Sequence, residues 1–132
     1  MPQGPILAQS AYPLPASAVT VTSSSGNVAD ASAVATLAAA SGKTTWITGF
    51  VVTAAGATAA SVVEVTVAGV LGGTMTFVFV APAGVDVSAV PLAVSFPSPV
   101  PASATNTAIV VTVPALGSGN TNAAVVATGY QL

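Results

Sequence analysis

Few residues in this chain carry groups that do chemistry. The acids are Asp30, Glu64 and Asp86, the single base is Lys43, and there is no His and no Cys. Without His or Cys most nucleophilic dyads and triads cannot be assembled. A Ser–Lys arrangement would have to join Lys43 to the nearby Ser41. A nucleophile also needs a positioned base and an oxyanion hole, and Ser41-Gly42-Lys43 reads more simply as a polar turn. A glycosidase pair needs two carboxyl groups about 5–9.5 Å apart, and nothing in the spacing of 30, 64 and 86 argues for that. Calcium takes about six or more oxygen ligands, commonly from clustered acids, and zinc prefers thiolate or imidazole. Neither set occurs, nor does a glycine-rich or Walker-type phosphate loop. The expectation is no catalytic, cofactor-binding or metal site.

Charge excludes further classes. Charged residues are 3% of the 132 and the net charge is −2, where soluble domains carry about 25% charged residues. One Lys cannot build the basic surface that neutralises phosphates, so direct nucleic-acid binding is not expected. Nor is a polybasic membrane anchor. Every apolar run is cut by Thr, Ser, Gly or Pro before the roughly 20 residues of a membrane-spanning helix, and the chain reads as soluble. The opening MPQGPILAQSAYPLP lacks a basic region and is broken by prolines, so it does not read as a signal peptide. Hydrophobic residues reach 53%, which argues against disorder. A neutral, partly apolar surface gives little opposition to association. It suits a subunit covered by neighbours, and a homo-oligomer is expected.

The elements that would position any partner contact are β-strands. Residues 1–16 hold Pro2, Pro5, Pro13 and Pro15, which exclude helix and central strand. They are either a frayed terminus or an extended arm anchored on a neighbour by Ile6, Leu7, Tyr12 and Leu14. Residues 17–132 form one β domain. Ala18–Ser23 alternates with period two. Val34–Ala39 reads as a strand, with a one- or two-turn helix as the alternative, because Ala and Leu are good helix formers. Thr44–Thr53 is a strand that places Trp46, Phe50 and Val52 on one face and Ile47 and Val51 on the other. Gly49 within it marks a bulge or a close backbone approach. Ser61–Val70 and Thr74–Val80 read as a hairpin closed by a two-residue primed turn at Gly72-Gly73. Ala81–Pro91 is a loop or broken edge, Leu92–Phe96 a strand, and PSPVPASATN a proline-rich crossover. Thr107–Val113 and Ala123–Tyr130 complete the set. Seven or eight short strands separated by turns predict an all-β fold, an antiparallel β-sandwich that is jelly-roll-like. The expected core includes Val65, Phe77, Phe79, Val94, Phe96 and Val111. Trp46 is the remaining candidate partner contact, although core and interface packing is the commoner fate of an aromatic ring.

GKTTWITGF (Gly42–Phe50), the Gly72-Gly73 turn, VSFPSPVPAS (Val94–Ser103) and the tail from Asn106 to Tyr130 together resemble small β-sandwich proteins encoded among tailed-bacteriophage structural genes. Within that group the chain is most similar to head decoration, or cement, proteins. The resemblance spans roughly Val34 to Leu132 and carries no catalytic residue. It implies a virion protein on the outer capsid surface, with the major capsid protein as partner and a trimer as the favoured assembly. The alternative from another class is a receptor- or glycan-binding module of a head fibre or tail.

Overall fold

The computed structural model describes residues 14–117 and 119–132, and among them there is no helix. The strands are β1 (Val19–Ser24), β2 (Ala33–Leu37), β3 (Thr45–Ala55), β4 (Ser61–Ala68), β5 (Met75–Ala81), β6 (Leu92–Pro101), β7 (Ile109–Val113) and β8 (Asn122–Gln131). They form two four-stranded sheets with the orders β1-β8-β3-β6 and β2-β7-β4-β5. Every strand pair is antiparallel. The predicted β-sandwich is therefore present, and its strands alternate between sheets at every connection except β4–β5.

Inward rows from both sheets make the core. Ile47, Phe50, Val52, Val125 and Ala127 come from the first sheet; Leu37, Val65, Val67, Phe79, Ile109, Val111 and Val113 come from the second. Val65, Phe79 and Val111 are buried as expected. Phe77, Val94 and Phe96 are only half-buried and pack against the core from its margin. The reason is position: Phe77 lies on β5 and the other two on β6, and both strands are sheet edges.

The face assignment for β3 is corrected by a bulge. Opposite β8 the register runs Ile47↔Gly129 and then Gly49↔Thr128, which leaves Thr48 as an extra residue. One extra residue reverses the alternation. Thr45 and Ile47 face inward before it, and Phe50, Val52 and Ala54 after it. Trp46 therefore shares the outward row with Val51, and Ile47 joins Phe50 inside. Gly49 is held to glycine by the close approach of β6: an added Cβ would lie 2.5 Å from the Val94 carbonyl oxygen.

Two connections also differ from expectation. The β4–β5 turn is closed by Gly73 N–H donating to the Val70 carbonyl (3.2 Å). Its central residues are thus Leu71 and Gly72, and Gly72 takes the positive φ (93°) that a type II turn demands. The hairpin exists, with the ladder ending at Val67↔Met75, but it is not closed by a two-residue primed turn. Residues 69–71 are drawn instead to the end of β6, where Leu71 N–H donates to the Pro101 carbonyl (2.9 Å) and Ser103 N–H to the Gly69 carbonyl (2.8 Å). The first half of the supposed proline-rich crossover is strand, since β6 runs on to Pro101. An edge strand tolerates prolines that a central one cannot. Between Val100 and Ser95 the four residues Phe96–Pro99 loop out opposite Thr48 alone. The segment Ala33–Leu37 is a strand, which settles it against the helical alternative.

The described part of the supposed arm is short. Ile6, Leu7 and Tyr12 lie outside the described residues. Leu14 is exposed and leads into a turn, where Ala18 N–H donates to the Pro15 carbonyl (3.2 Å) and Ser17 has φ 67°.

The gradient of burial across the aromatic cluster gives an ordered pair of outcomes. Phe50→Ala, at 2% exposure, costs about 3–5 kcal/mol, the usual range for a buried aromatic. Phe77→Ala, half-buried on the margin, costs distinctly less. Urea unfolding of both variants checks this, and an equal loss for the two would contradict it.

Candidate interaction surface

The charged residues are scattered. Lys43 is exposed in the β2–β3 connection, beside an exposed Ser41, on a turn closed by Lys43 N–H donating to the Ala40 carbonyl (3.1 Å). Asp30 lies between β1 and β2, where its Oδ1 accepts from Gly119 N–H at 2.7 Å and ties that connection to the β7–β8 loop. Glu64 is exposed on β4, directly opposite Val78 of β5. Asp86 is exposed in the β5–β6 connection. Among the described residues no group of three or more His, Cys, Asp or Glu could hold a metal ion.

Two buried polar side chains lie near the strand ends, and their surroundings differ. Thr45 is fully buried; its Oγ1 reaches the Ala38 carbonyl (3.4 Å) and accepts from Gln131 Nε2 (3.3 Å). Asn120 is also buried, but its side-chain amide has no hydrogen-bond partner among the described residues. Its main chain is engaged, with Asn120 N–H donating to the Gly117 carbonyl and the Asn120 carbonyl accepting from Asp30 N–H. Nothing in the sequence distinguishes this asparagine from Asn106 or Asn122.

Trp46 sits directly across from Tyr130 in the β3–β8 ladder. The rings stack with centroids 5.9 Å apart and planes 7° from parallel. Tyr130 is buried and Trp46 half-buried, and Trp46 Nε1 is buried with no partner among the described residues. Of the candidate contacts, the structure thus gives Trp46 a packing partner and leaves Leu14 exposed. It does not bring the two into a shared site.

The larger feature is apolar surface on the second sheet. Val62 and Val80 are opposite each other on β4 and β5, Val78 lies on the same outer row, and all three are exposed. Val90 joins them across a groove of about 440 Å³, lined also by Pro82, Pro91 and Leu92. A second groove of about 370 Å³ crosses the outer face of the first sheet, between Val51, Val126 and the hydroxyls of Thr48 and Thr128. Sequence reasoning marked apolar residues on both faces of β3 but missed the same property in β5. The signal was present in Phe77-Val78-Phe79-Val80, where inward and outward rows are both apolar.

No family model matches the chain, and no curated protein or solved structure matches it.

The lone tryptophan makes the stack measurable. Tyr130→Ala removes its ring partner and shifts Trp46 emission to the red, while a double-mutant cycle between the two positions gives a coupling of about 0.5–1.5 kcal/mol. Unchanged emission in Tyr130→Ala would show that the stack is not formed in solution.

Proposed function

We propose that this protein is a structural component of a bacteriophage virion, a decoration protein that binds the major capsid protein on the outer capsid surface and stabilises the shell. The observation that carries this reading is an eight-stranded sandwich whose outer faces carry exposed valines among neutral hydroxyls, with Glu64 the one charged residue in its strands and the other ionisable groups dispersed over the connections. Such surfaces associate by burying area and pairing strand edges, not by charge steering. We read the alternating strand order as a jelly roll, two Greek keys wound across two sheets. That winding is found in viral capsid and lectin domains, an analogy of fold and not of site. The reading assigns no catalysis. Self-association, with a trimer as the assembly that the phage resemblance favours, multiplies weak contacts around a closed shell, and residues 1–16 serve as an arm to a neighbour.

A second reading has one observation in its favour. Asn27, Thr53, Ser88 and Asn122 border a cleft of about 260 Å³, and Asn27 Nδ2 donates to Asn122 Oδ1 at 2.9 Å. Amides and hydroxyls of that kind suit a glycan, as a receptor-binding module would require.

Particles lacking the protein should assemble but break at lower temperature than complete ones. Added protein should restore them with little dependence on salt, because few charges are present to be screened. Particles of undiminished robustness that fail to adsorb to host cells would replace the decoration reading with the receptor-binding one.

A further inference from the structure

The two long sides of the sandwich are finished differently. On the β1/β2 side the inward residues of β2, Ala33, Ala35 and Leu37, are fully buried. There Thr36 N–H of edge strand β2 donates to Ser23 Oγ of β1 at 3.1 Å. On the β5/β6 side Phe79 and Ala81 of β5 are buried, but the rest of the inward row stays half-open: Met75 and Phe77 on β5, and Leu92, Val94 and Phe96 on β6, are only partly buried. Phe77 meets Phe50 at 5.2 Å and Phe96 at 6.5 Å between ring centroids, so the aromatic cluster runs from the core out to this lip.

The two edges at the lip are not equivalent. β6 carries Pro97, Pro99 and Pro101 and loops out over residues 96–99, features that blunt an edge against further pairing. β5 has no proline, no charge and no register shift along its ladder with β4. Its outer row adds Val78 and Val80, at 64% and 57% exposure, beside Val62 at 68% and Val90 at 85%. These four valines present apolar area on the order of 400 Å², as large as the biggest patch on a typical monomer. Of the charged residues only Glu64 lies directly beside them in the ladder.

We propose that a second copy of this chain occupies the β5 edge, in antiparallel pairing about a two-fold axis through Val78. The strand is suited to meeting itself. Read outward from Val78, Phe77 and Phe79 flank it symmetrically and the β-branched Thr76 and Val80 follow, although Met75 and Ala81 differ. A two-fold contact is self-complementary, with each residue i meeting j and j meeting i. Centred on Val78, it sets Phe77 against Phe79 of the second copy and Thr76 against Val80. The β2-β7-β4-β5 sheets of the two copies join into one continuous sheet, and the half-buried Phe77 is covered from the side. The seven-residue edge offers main-chain pairing along its length, and on the outer face the exposed Val78 meets Val78 of the second copy while Val80 meets its Thr76. A two-fold pair departs from the trimer that the phage resemblance implies, but it does not depend on where the protein attaches, so it stands or falls apart from capsid binding.

Sedimentation of the purified full chain across the micromolar range tests it. The wild type should dimerise. Val78→Lys, at an exposed position, should leave the circular dichroism spectrum intact and weaken dimerisation severalfold, because two like charges then face each other across the axis. Val78→Glu should do the same, and mixing the two variants should restore a heterodimer. Val51→Lys, on the outer face of the other sheet, should dimerise like the wild type. A wild type that stays monomeric or forms only trimers overturns the proposal. So does undiminished dimerisation of Val78→Lys, or failure of the mixed variants to pair. Dimers that persist in Val78→Lys but vanish on deletion of residues 1–13 would give the contact to the arm instead.

Discussion

The arrangement of the first sheet depends on one close approach, that of β6 to the backbone of β3 at Gly49. β3 is paired on both sides, to β8 and to β6, and it carries its bulge in the middle. The extra residue, Thr48, is pinned where it stands: its Oγ1 donates to the Thr128 carbonyl at 3.1 Å. Above the bulge Ile47 fills the core and Trp46 meets Tyr130; below it Phe50 and Val52 take over the inward row. Any side chain at Gly49 would press on the Val94 carbonyl. Gly129 is constrained in the same place from the other side, because a Cβ there would run into the Trp46 carbonyl oxygen. Two glycines on neighbouring strands thus set the phase of β3, and with it the face on which the only tryptophan lies.

Much of this fold is legible from alternation alone, because burying one face of a strand forces a period of two. Val63, Val65 and Val67 face one way, and the strand is found. Legibility fails where a non-local contact overrides the local rule. Alternation carried straight through Gly49 puts Trp46 on the same face as Phe50, although glycine in mid-strand is itself the warning of a bulge. Pro97 and Pro99 argue against a strand, and only the strand order reveals that β6 is an edge where they do no harm. Gly72-Gly73 suggests a minimal hairpin turn, but Pro101, distant in sequence, captures Leu71 and opens it. Ala33-Val34-Ala35-Thr36-Leu37 is ambiguous because alanine suits either helix or strand; pairing with β7 decides it. The exposed β5 edge is invisible for the same reason. Phe77-Val78-Phe79-Val80 announces two apolar faces, but not that the strand has a neighbour on one side only.

A surface with four charged side chains leaves the protein few means of keeping its own strands apart. Lysines, inward-pointing charges and prolines are the usual devices at a sheet edge. Here prolines guard β6, and a serine hydroxyl occupies the Thr36 N–H of β2. β5 has neither form of protection. In a free monomer that would be a hazard, and in an assembling subunit it is a place to join.

The strand order also determines when the protein can begin to fold. β1 pairs only with β8, and β2 only with β7. Strands made early must therefore wait for strands made late, and on the ribosome the central partner of the first strand emerges only after the six strands between them. Folding dominated by such distant pairings is slow. During the wait, valine-rich segments with few flanking charges stand unpaired, the state in which chains misassociate. The β4–β5 hairpin is the one neighbour-to-neighbour pair that can form early, and it carries both Phe77 and Phe79. A nascent chain would thus display its most adhesive edge first, while the sheet that covers those rings is still being made.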